Sequence, residues 1–287
     1  MNNTLCNLCP NNCNVNRSNN VGFCGQTNDI KIAKYYLHKF EEPIISGTNG
    51  SGTIFFVGCS LKCVFCQNYE LSRSIRGKTI SPLELANIFK ELEDMGAHNI
   101  NLVTPSHFNE QIIEAFSIYK PKIPVVYNTH AYENLHALEQ IDPFIDVYLP
   151  DLKFFGKEIS KRYCGKENYF KVASNIIRFM AKKPIKFNDD GLLTSGTVVR
   201  HLVLPQNVSD SKRVLDFLAE LKDNIFVSVL SQYTPFGDVK NFPELNRKLT
   251  KREYDNVINY AIFKGFEKMF YQNEKSADTS YIPSWDF

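Results

Sequence analysis

The chain has almost no net charge, no long apolar run and, beyond residue 66, only one cysteine. Thirty-three Lys and Arg oppose 31 Asp and Glu, a net charge of +2. That balance gives no composition-level attraction to nucleic acid or to an anionic membrane. The one basic cluster, Arg178, Lys182, Lys183 and Lys186, reads as a solvated helix end. No uninterrupted apolar stretch approaches the ~20 residues needed to span a bilayer. The N-terminus, MNNTLCNLCPNNCNVN, lacks the basic start and apolar core of a secretion signal, so a cytoplasmic protein is expected. No Gly-Lys-Ser/Thr follows the Gly-rich run 46–52 (SGTNGSG), which excludes a phosphate loop and leaves a flexible connector. No internal repeat or low-complexity tract stands out.

What is present is a globular composition, 43% hydrophobic and 22% charged, which excludes a disordered or collagen-like chain. Its 287 residues suit one barrel-type α/β domain with a small appendage. Short β-branched apolar runs at 53–58, 99–104, 123–128, 145–150, 197–204 and 225–230 read as strands covered on both faces. Helical patterns alternate with them. Ser81-Pro82-Leu83-Glu84 is a capping box with Pro at the first helical position, and Gly96 stops that helix. Segments 109–119, 133–140, 166–181 and 210–222 read as further helices, and Thr250-Lys251-Arg252-Glu253 caps a last one. Six strand–helix units imply a parallel sheet with right-handed crossovers. The expected fold is α/β, a partial (β/α)6 TIM-like barrel over 46–287. A Cys-rich metal-binding extension occupies 1–45.

Seven of the eight cysteines fall within the first 66 residues, and a reducing cytosol turns such spacing toward metal rather than disulfides. Cys59, Cys63 and Cys66 directly follow the first strand of the alternation. In a parallel barrel, the loops leaving the strand C-termini build the active site. Three thiolates hold three corners of a cubane [4Fe–4S] cluster, and no fourth cysteine is near in sequence. One iron would then stay open to a ligand. A structural zinc completed by a distant ligand is the alternative. Cys6, Cys9, Cys13 and Cys24 offer four thiolates, enough to close a second site holding zinc or an auxiliary iron–sulfur cluster. Residues 1–30 are too polar to bury a core, so a metal staple there is physically reasonable. Cys164 reads as a solitary structural thiol.

The spacing C-x3-C-x2-C, with Phe65 before its last cysteine, resembles the signature of the radical S-adenosylmethionine (SAM) superfamily. Gly58-Cys-Ser-Leu-Lys-Cys-Val-Phe-Cys-Gln-Asn68, Asn128-Thr-His-Ala-Tyr132, Leu149-Pro-Asp-Leu-Lys153 and Val199-Arg-His-Leu-Val-Leu-Pro205 resemble the pyruvate formate-lyase activating enzymes, in an uncharacterised subgroup with an extra N-terminal cysteine cluster. The resemblance implies a cluster whose unique iron binds SAM, reductive SAM cleavage and hydrogen-atom abstraction by a 5′-deoxyadenosyl radical. It implies SAM contacts at Asn68, Asp151, Lys153 and Arg200, and a monovalent cation near Asp151, Asn128 and Thr129. Gln232 takes a place near the adenine. The expected partners are a glycyl radical enzyme or a peptide substrate, and a flavodoxin or ferredoxin electron donor.

One departure matters. Those enzymes carry Gly-Gly-Glu after the second strand, where it binds the SAM amino group; this chain reads Val103-Thr104-Pro105-Ser106-His107. Thr104 and Ser106 offer acceptors in its place. The change favours a different substrate environment, such as another peptide or a small metabolite. His107 and His130 are expected at the same mouth, as proton donors or substrate contacts. The rival from another class is a non-catalytic, zinc-stapled binding protein. At the C-terminus, Tyr281, Pro283, Trp285 and Phe287 are expected to pack on the barrel or cover its mouth.

Overall fold

A computed structural model describes residues 5–272; the C-terminal aromatic segment lies outside them. The elements run β1 (Ile30–His38), α1 (Pro43–Ser46), β2 (Ser51–Phe56), α2 (Tyr69–Arg73), β3 (Lys78–Ile80), α3 (Pro82–Asp94), β4 (Ile100–Val103), α4 (Asn109–Ile118), β5 (Val125–Thr129) and α5 (Leu135–Ile141). They continue β6 (Val147–Pro150), α6 (Lys157–Cys164), α7 (Tyr169–Met180), β7 (Lys186–Phe187), β8 (Leu193–Leu202), α8 (Val208–Ala219), β9 (Phe226–Leu230), α9 (Lys251–Phe263) and β10 (Met269–Tyr271).

The six expected strands are β2, β4, β5, β6, β8 and β9, neighbours in that order and all parallel. Each is joined to the next through helix, as parallel pairing requires. The sheet does not close. Its far edge adds β10, parallel to β9, and its near edge adds the antiparallel β1 and then β3. An open, partial barrel is therefore borne out, with edge strands that periodicity did not reveal. Ile30–His38, which the sequence reading left in the N-terminal extension, lies in the same sheet and pairs with β2 from Ile32 to His38.

Both capping boxes form, Ser81 with Glu84 on α3 and Thr250 with Glu253 on α9. Each satisfies two backbone donors that a helix start leaves open. The run 46–52 is a hydrogen-bonded turn rather than a loose connector: Ser46 ends α1, Ser51 and Gly52 open β2, and the His98 amide donates to the Gly50 carbonyl.

Alternation along the strands separates two faces. Ile100, Leu102, Tyr127, Tyr148, Val199, Val227 and Val229 pack into the main core with residues of α3, α4, α5, α7, α8 and α9. The opposite, inner face carries Val126, Val147, Leu149 and Val198, closed off by Ile45 of α1 and Leu193. Along that face the side chains turn polar toward the strand C-termini, at Asn128, Asp151 and Arg200. Among the described residues, no helix is long and apolar enough to cross a membrane.

Candidate active site

Register places the polar row. Asn128 pairs with Val103 and Leu149, and Asp151 forms an isolated parallel bridge to Arg200, which pairs with Ser228. Cross-strand partners in a parallel sheet share a face, so these side chains look inward together. Arg200 donates from Nε to Asp151 at 2.8 Å, from Nη1 to Glu41 at 3.1 Å and from Nη2 to Asn128 at 2.6 Å. Lys153 Nζ donates to the other Asp151 oxygen at 2.8 Å. Glu41 also accepts from Asn101 and Asn128.

Two cations thus face two carboxylates in a largely dehydrated group on the inner face of the sheet. Burial disfavours the Asp151 carboxylate, but Arg200 and Lys153 outweigh it and hold the carboxyl down to about 2. Lys153 and Arg200 are held firmly charged in return, against their own burial. Glu42 is a third carboxyl beside this group. Burial and the neighbouring Glu41 push it up to about 6, although Arg200 pulls the other way. One of its oxygens, Oε2, is buried without a hydrogen-bond partner.

The cysteine loop leaves β2 next to this row. Cys63 is buried, and Cys59 and Cys66 are partly exposed. Phe65 anchors the loop among Phe154, Tyr163 and Tyr233, edge-on to each. Arg73 clamps it by donating to the Lys62 and Cys63 carbonyls at 2.8 and 3.1 Å. Burial opposes the Cys59 thiolate, yet His130 and the Lys62 and Leu61 amides bring its thiol down to about 6. A hydrogen bond with Cys164 and burial push the Cys63 thiol well up. Burial also raises Cys66, while Lys153, Ser72 and the Asn68 amide favour its thiolate. Lys153 therefore favours thiolate at both Cys63 and Cys66. Three thiols on one loop with a cation and N–H donors around them fit a thiolate-ligated cluster.

The remaining sequence-selected residues divide between places. His130 lies beside the cysteine loop, 3.0 Å from the Ser60 hydroxyl through Nε2, while its Nδ1 accepts from the Tyr132 amide at 3.0 Å. That second bond leaves the proton on Nε2, facing Cys59 and Ser60. Gln232 follows β9 and is tied to Gln67 and Gln272. Asn68 is the N-cap position of α2, and its side chain makes no capping bond. Thr129 turns to the helix side, donating to Glu133 at 2.6 Å. Thr104 adopts a left-handed φ of 58° after β4, its amide bonded to the Asn128 carbonyl. Ser106 and His107 line a different cavity, shared with Cys6, Cys9, Cys13 and Cys24.

A profile described as the Radical SAM superfamily matches residues 53–218, more than half of the chain. The chain belongs to the radical SAM superfamily. A relative, the uncharacterised protein MJ0674 of Methanocaldococcus jannaschii, is 32% identical over 266 residues, 89% of this chain and 74% of that one. Among solved structures, Streptococcus suis SuiB bound to S-adenosylmethionine superposes with a TM-score of 0.52 at 15% identity, over 75% of this chain and 48% of SuiB. Methylornithine synthase (PylB) gives a TM-score of 0.51 at 16% identity, over 72% of this chain and 60% of that one. Identities this low show the shared fold alone. This radical SAM chain spans about half the length of SuiB.

Several residues of this radical SAM site gave no sequence signal. Glu41 arrives from the segment between β1 and α1, far in sequence from every group it touches. Arg17, 3% exposed, spends its guanidinium on the carbonyls of Gln26, His107 and Thr27 and so pins the N-terminal lobe to the barrel. Cys164, at the end of α6, lies beside Cys63, although the sequence showed no fourth cysteine near the loop.

Proposed function

We propose that Cys59, Cys63 and Cys66 hold a [4Fe–4S] cluster with one iron left for SAM, and that the enzyme abstracts a hydrogen atom from a polypeptide. Its motifs imply a glycine of a glycyl radical enzyme as the target. The observation that carries this reading is the adjacency of the three-thiol loop to the row of Asn128, Asp151, Lys153 and Arg200 at the strand C-termini. When bound, the cluster supplies the electron for reductive SAM cleavage.

The chain's own residues bind and orient. Arg200 is a rigid fork of donors suited to a carboxylate, and here it is already aligned by Asp151 and Asn128. Lys153 sits between the Asp151 carboxylate and the thiols, so it neutralises charge on both sides. Asn128 and Asp151 present oxygens toward the region where the resemblance expects a cation and ribose hydroxyls. His130 presents its Nε2 proton to Ser60 and Cys59, a hydrogen bond of the kind that tunes thiolate ligands. Thr129, bonded to Glu133, supports the β5 terminus rather than facing the row. A flavodoxin or ferredoxin is the expected electron donor.

The missing Gly-Gly-Glu favours a second reading, in which another peptide or a small metabolite is the substrate. SuiB, solved with its precursor peptide SuiA, is a fold neighbour that engages a peptide. The deciding experiment is anaerobic reconstitution with iron and sulfide counts, followed by 5′-deoxyadenosine measurement with dithionite and SAM. A glycyl radical partner gives partner-dependent product and a glycyl EPR doublet; a metabolite substrate supports turnover without any protein partner. Zinc alone, with no absorbance near ~400 nm, means the non-catalytic binding protein. Cys63→Ala is expected to abolish SAM cleavage, and full cleavage in that variant overturns the proposal.

A further inference from the structure

Two tight turns carry the four N-terminal cysteines. In the first, the Asn12 amide donates to the Cys9 carbonyl at 3.0 Å, and Asn12 and Asn14 take left-handed φ values of 40° and 50°. Cys6 is tied to the same turn, its carbonyl accepting from the Asn14 amide at 3.3 Å. In the second, the Gly25 amide donates to the Gly22 carbonyl at 2.9 Å, and the Gly22 amide to the Gln26 carbonyl at 3.2 Å. The turns meet at a cavity lined by Cys6, Cys9, Cys13 and Cys24. The Phe23 amide of the second turn donates to Cys13 Sγ of the first at 3.1 Å, and Asn11 Nδ2 donates to Cys9 Sγ at 3.5 Å. Such donors favour thiolate, the form that binds metal.

The cavity is small. Its enclosed volume is about 10 Å³, roughly one water-sized sphere. That admits a single ion and nothing larger. Gly22 shows how closely the turns approach there. A Cβ on it would stand 3.4 Å from Cys24 Sγ and 3.6 Å from Cys13 Sγ, so both sulfurs crowd one point. The other thiols are neighbours as well. Charge on Cys13 and Cys24 acts on Cys9, and charge on Cys6 and Cys13 acts on Cys24. Four thiolates this close repel one another, and a divalent cation among them removes that repulsion. Among the described residues, no three Cys, His, Asp or Glu side chains are drawn to one point. Binding therefore includes closing the sulfurs onto the ion, to about 2.3 Å each for zinc.

We propose that Cys6, Cys9, Cys13 and Cys24 bind one zinc ion in a closed structural site that clasps the N-terminal lobe onto the cysteine loop after β2. Four thiolates complete a tetrahedral shell and leave no position for a substrate. His107, on the barrel side of the cavity, stays outside that shell, where its Nε2 donates to the Val57 carbonyl at 2.8 Å. The lobe reaches the barrel through bonds beside the ligands. Asn11 Nδ2 donates to the Ser60 carbonyl at 2.8 Å. Asn134 donates to the Asn7 carbonyl through Nδ2 at 2.6 Å and to the Leu8 carbonyl through its amide at 3.1 Å. Asn11 lies between Cys9 and Cys13, and Ser60 directly follows Cys59. An ion that fixes the first turn therefore fixes its contact with the loop.

The test uses the full chain carrying Cys59→Ala/Cys63→Ala/Cys66→Ala, so that no iron on the loop obscures the spectrum. Purified anaerobically, it is expected to hold about one zinc per chain by elemental analysis. Cobalt(II) exchanged for that zinc is expected to give the visible bands of a tetrahedral ion and a thiolate charge-transfer band, both saturating at one equivalent. Cys13→His in the same background keeps a ligand, and is expected to keep the metal with about three quarters of the charge-transfer intensity. Cys6→Ser/Cys13→Ser is expected to lose the zinc and to be cleaved faster by protease within residues 6–26. Iron with sulfide in place of zinc, no metal at all, or an unchanged cobalt spectrum in Cys13→His overturns the proposal. Zinc counts on wild-type protein and on Cys6→Ser/Cys13→Ser alone decide the matter if the triple variant does not fold; equal counts overturn the site. No arm measures SAM cleavage, so failure of this site and failure of the proposed function are separate results.

Discussion

Arg200 and Asp151 meet twice, once as backbone neighbours across the C-terminal ends of β8 and β6, and once through a 2.8 Å bond from Nε to Oδ1. The backbone register sets the side-chain pair, so the guanidinium is aimed before any ligand arrives. Glu41 and Asn128 complete its coordination at 3.1 and 2.6 Å.

Arg200→Lys tests that aim. A lysine keeps the charge but cannot donate to three acceptors in one plane. SAM affinity, measured by equilibrium dialysis on reconstituted protein, is expected to fall about tenfold or more, roughly 1.4 kcal/mol. Circular dichroism should be unchanged. Unaltered affinity removes Arg200 from the SAM site.

Glu42 gives a pH dependence. Its folded-state carboxyl is raised from 4.5 to about 6, chiefly by burial. A raised carboxyl is stabilising while protonated in both states, and that stability is lost as pH climbs from about 4.5 through about 6. The loss is of order 2 kcal/mol. Glu42→Gln is expected to flatten stability over that interval and to unfold later than wild type at pH 7. Denaturant titrations at several pH values check this, and parallel curves for the two proteins refute it.

Gly58→Ala should damage both cysteine groups. Gly58 has φ +89°, and a Cβ there would meet the Cys24 carbonyl oxygen and Gln26 Cγ at 2.7 Å each. The strained φ and the clash with backbone together cost roughly 2–4 kcal/mol. The expected outcome is a lower melting temperature together with reduced iron uptake. Normal melting shows that the N-terminal lobe does not press on the loop after β2.

Cys164→Ala separates a neighbour from a ligand. Cys164 donates to the Ser160 carbonyl at 2.9 Å and hydrogen-bonds the Cys63 thiol. Removing it is expected to cost about 1 kcal/mol and to leave the iron count unchanged. SAM should alter the EPR spectrum of wild type and variant alike. A spectrum that responds to SAM only in the variant would place Cys164 on the fourth corner of the cluster.

The sequence alone determined the elements and the chemistry of one loop. Strand runs, helix periodicity and the capping boxes at Ser81 and Thr250 are local patterns, and local patterns survive in one dimension. Three thiols within eight residues are equally local, so Cys59, Cys63 and Cys66 were readable at once. Tertiary structure decided what joins them. Glu41 comes to Arg200 across 159 positions, and Arg17 comes to His107 across 90. It also turned Thr129 away from the inner face, sent His107 to the N-terminal cavity and brought Cys164 to Cys63. β1, β3 and β10 escaped notice because strands at or next to a sheet's edge are buried by their neighbours, not by their own periodicity. Such contacts depend on how the sheet curls and which loops its ends bring together, and no short window of residues carries that information.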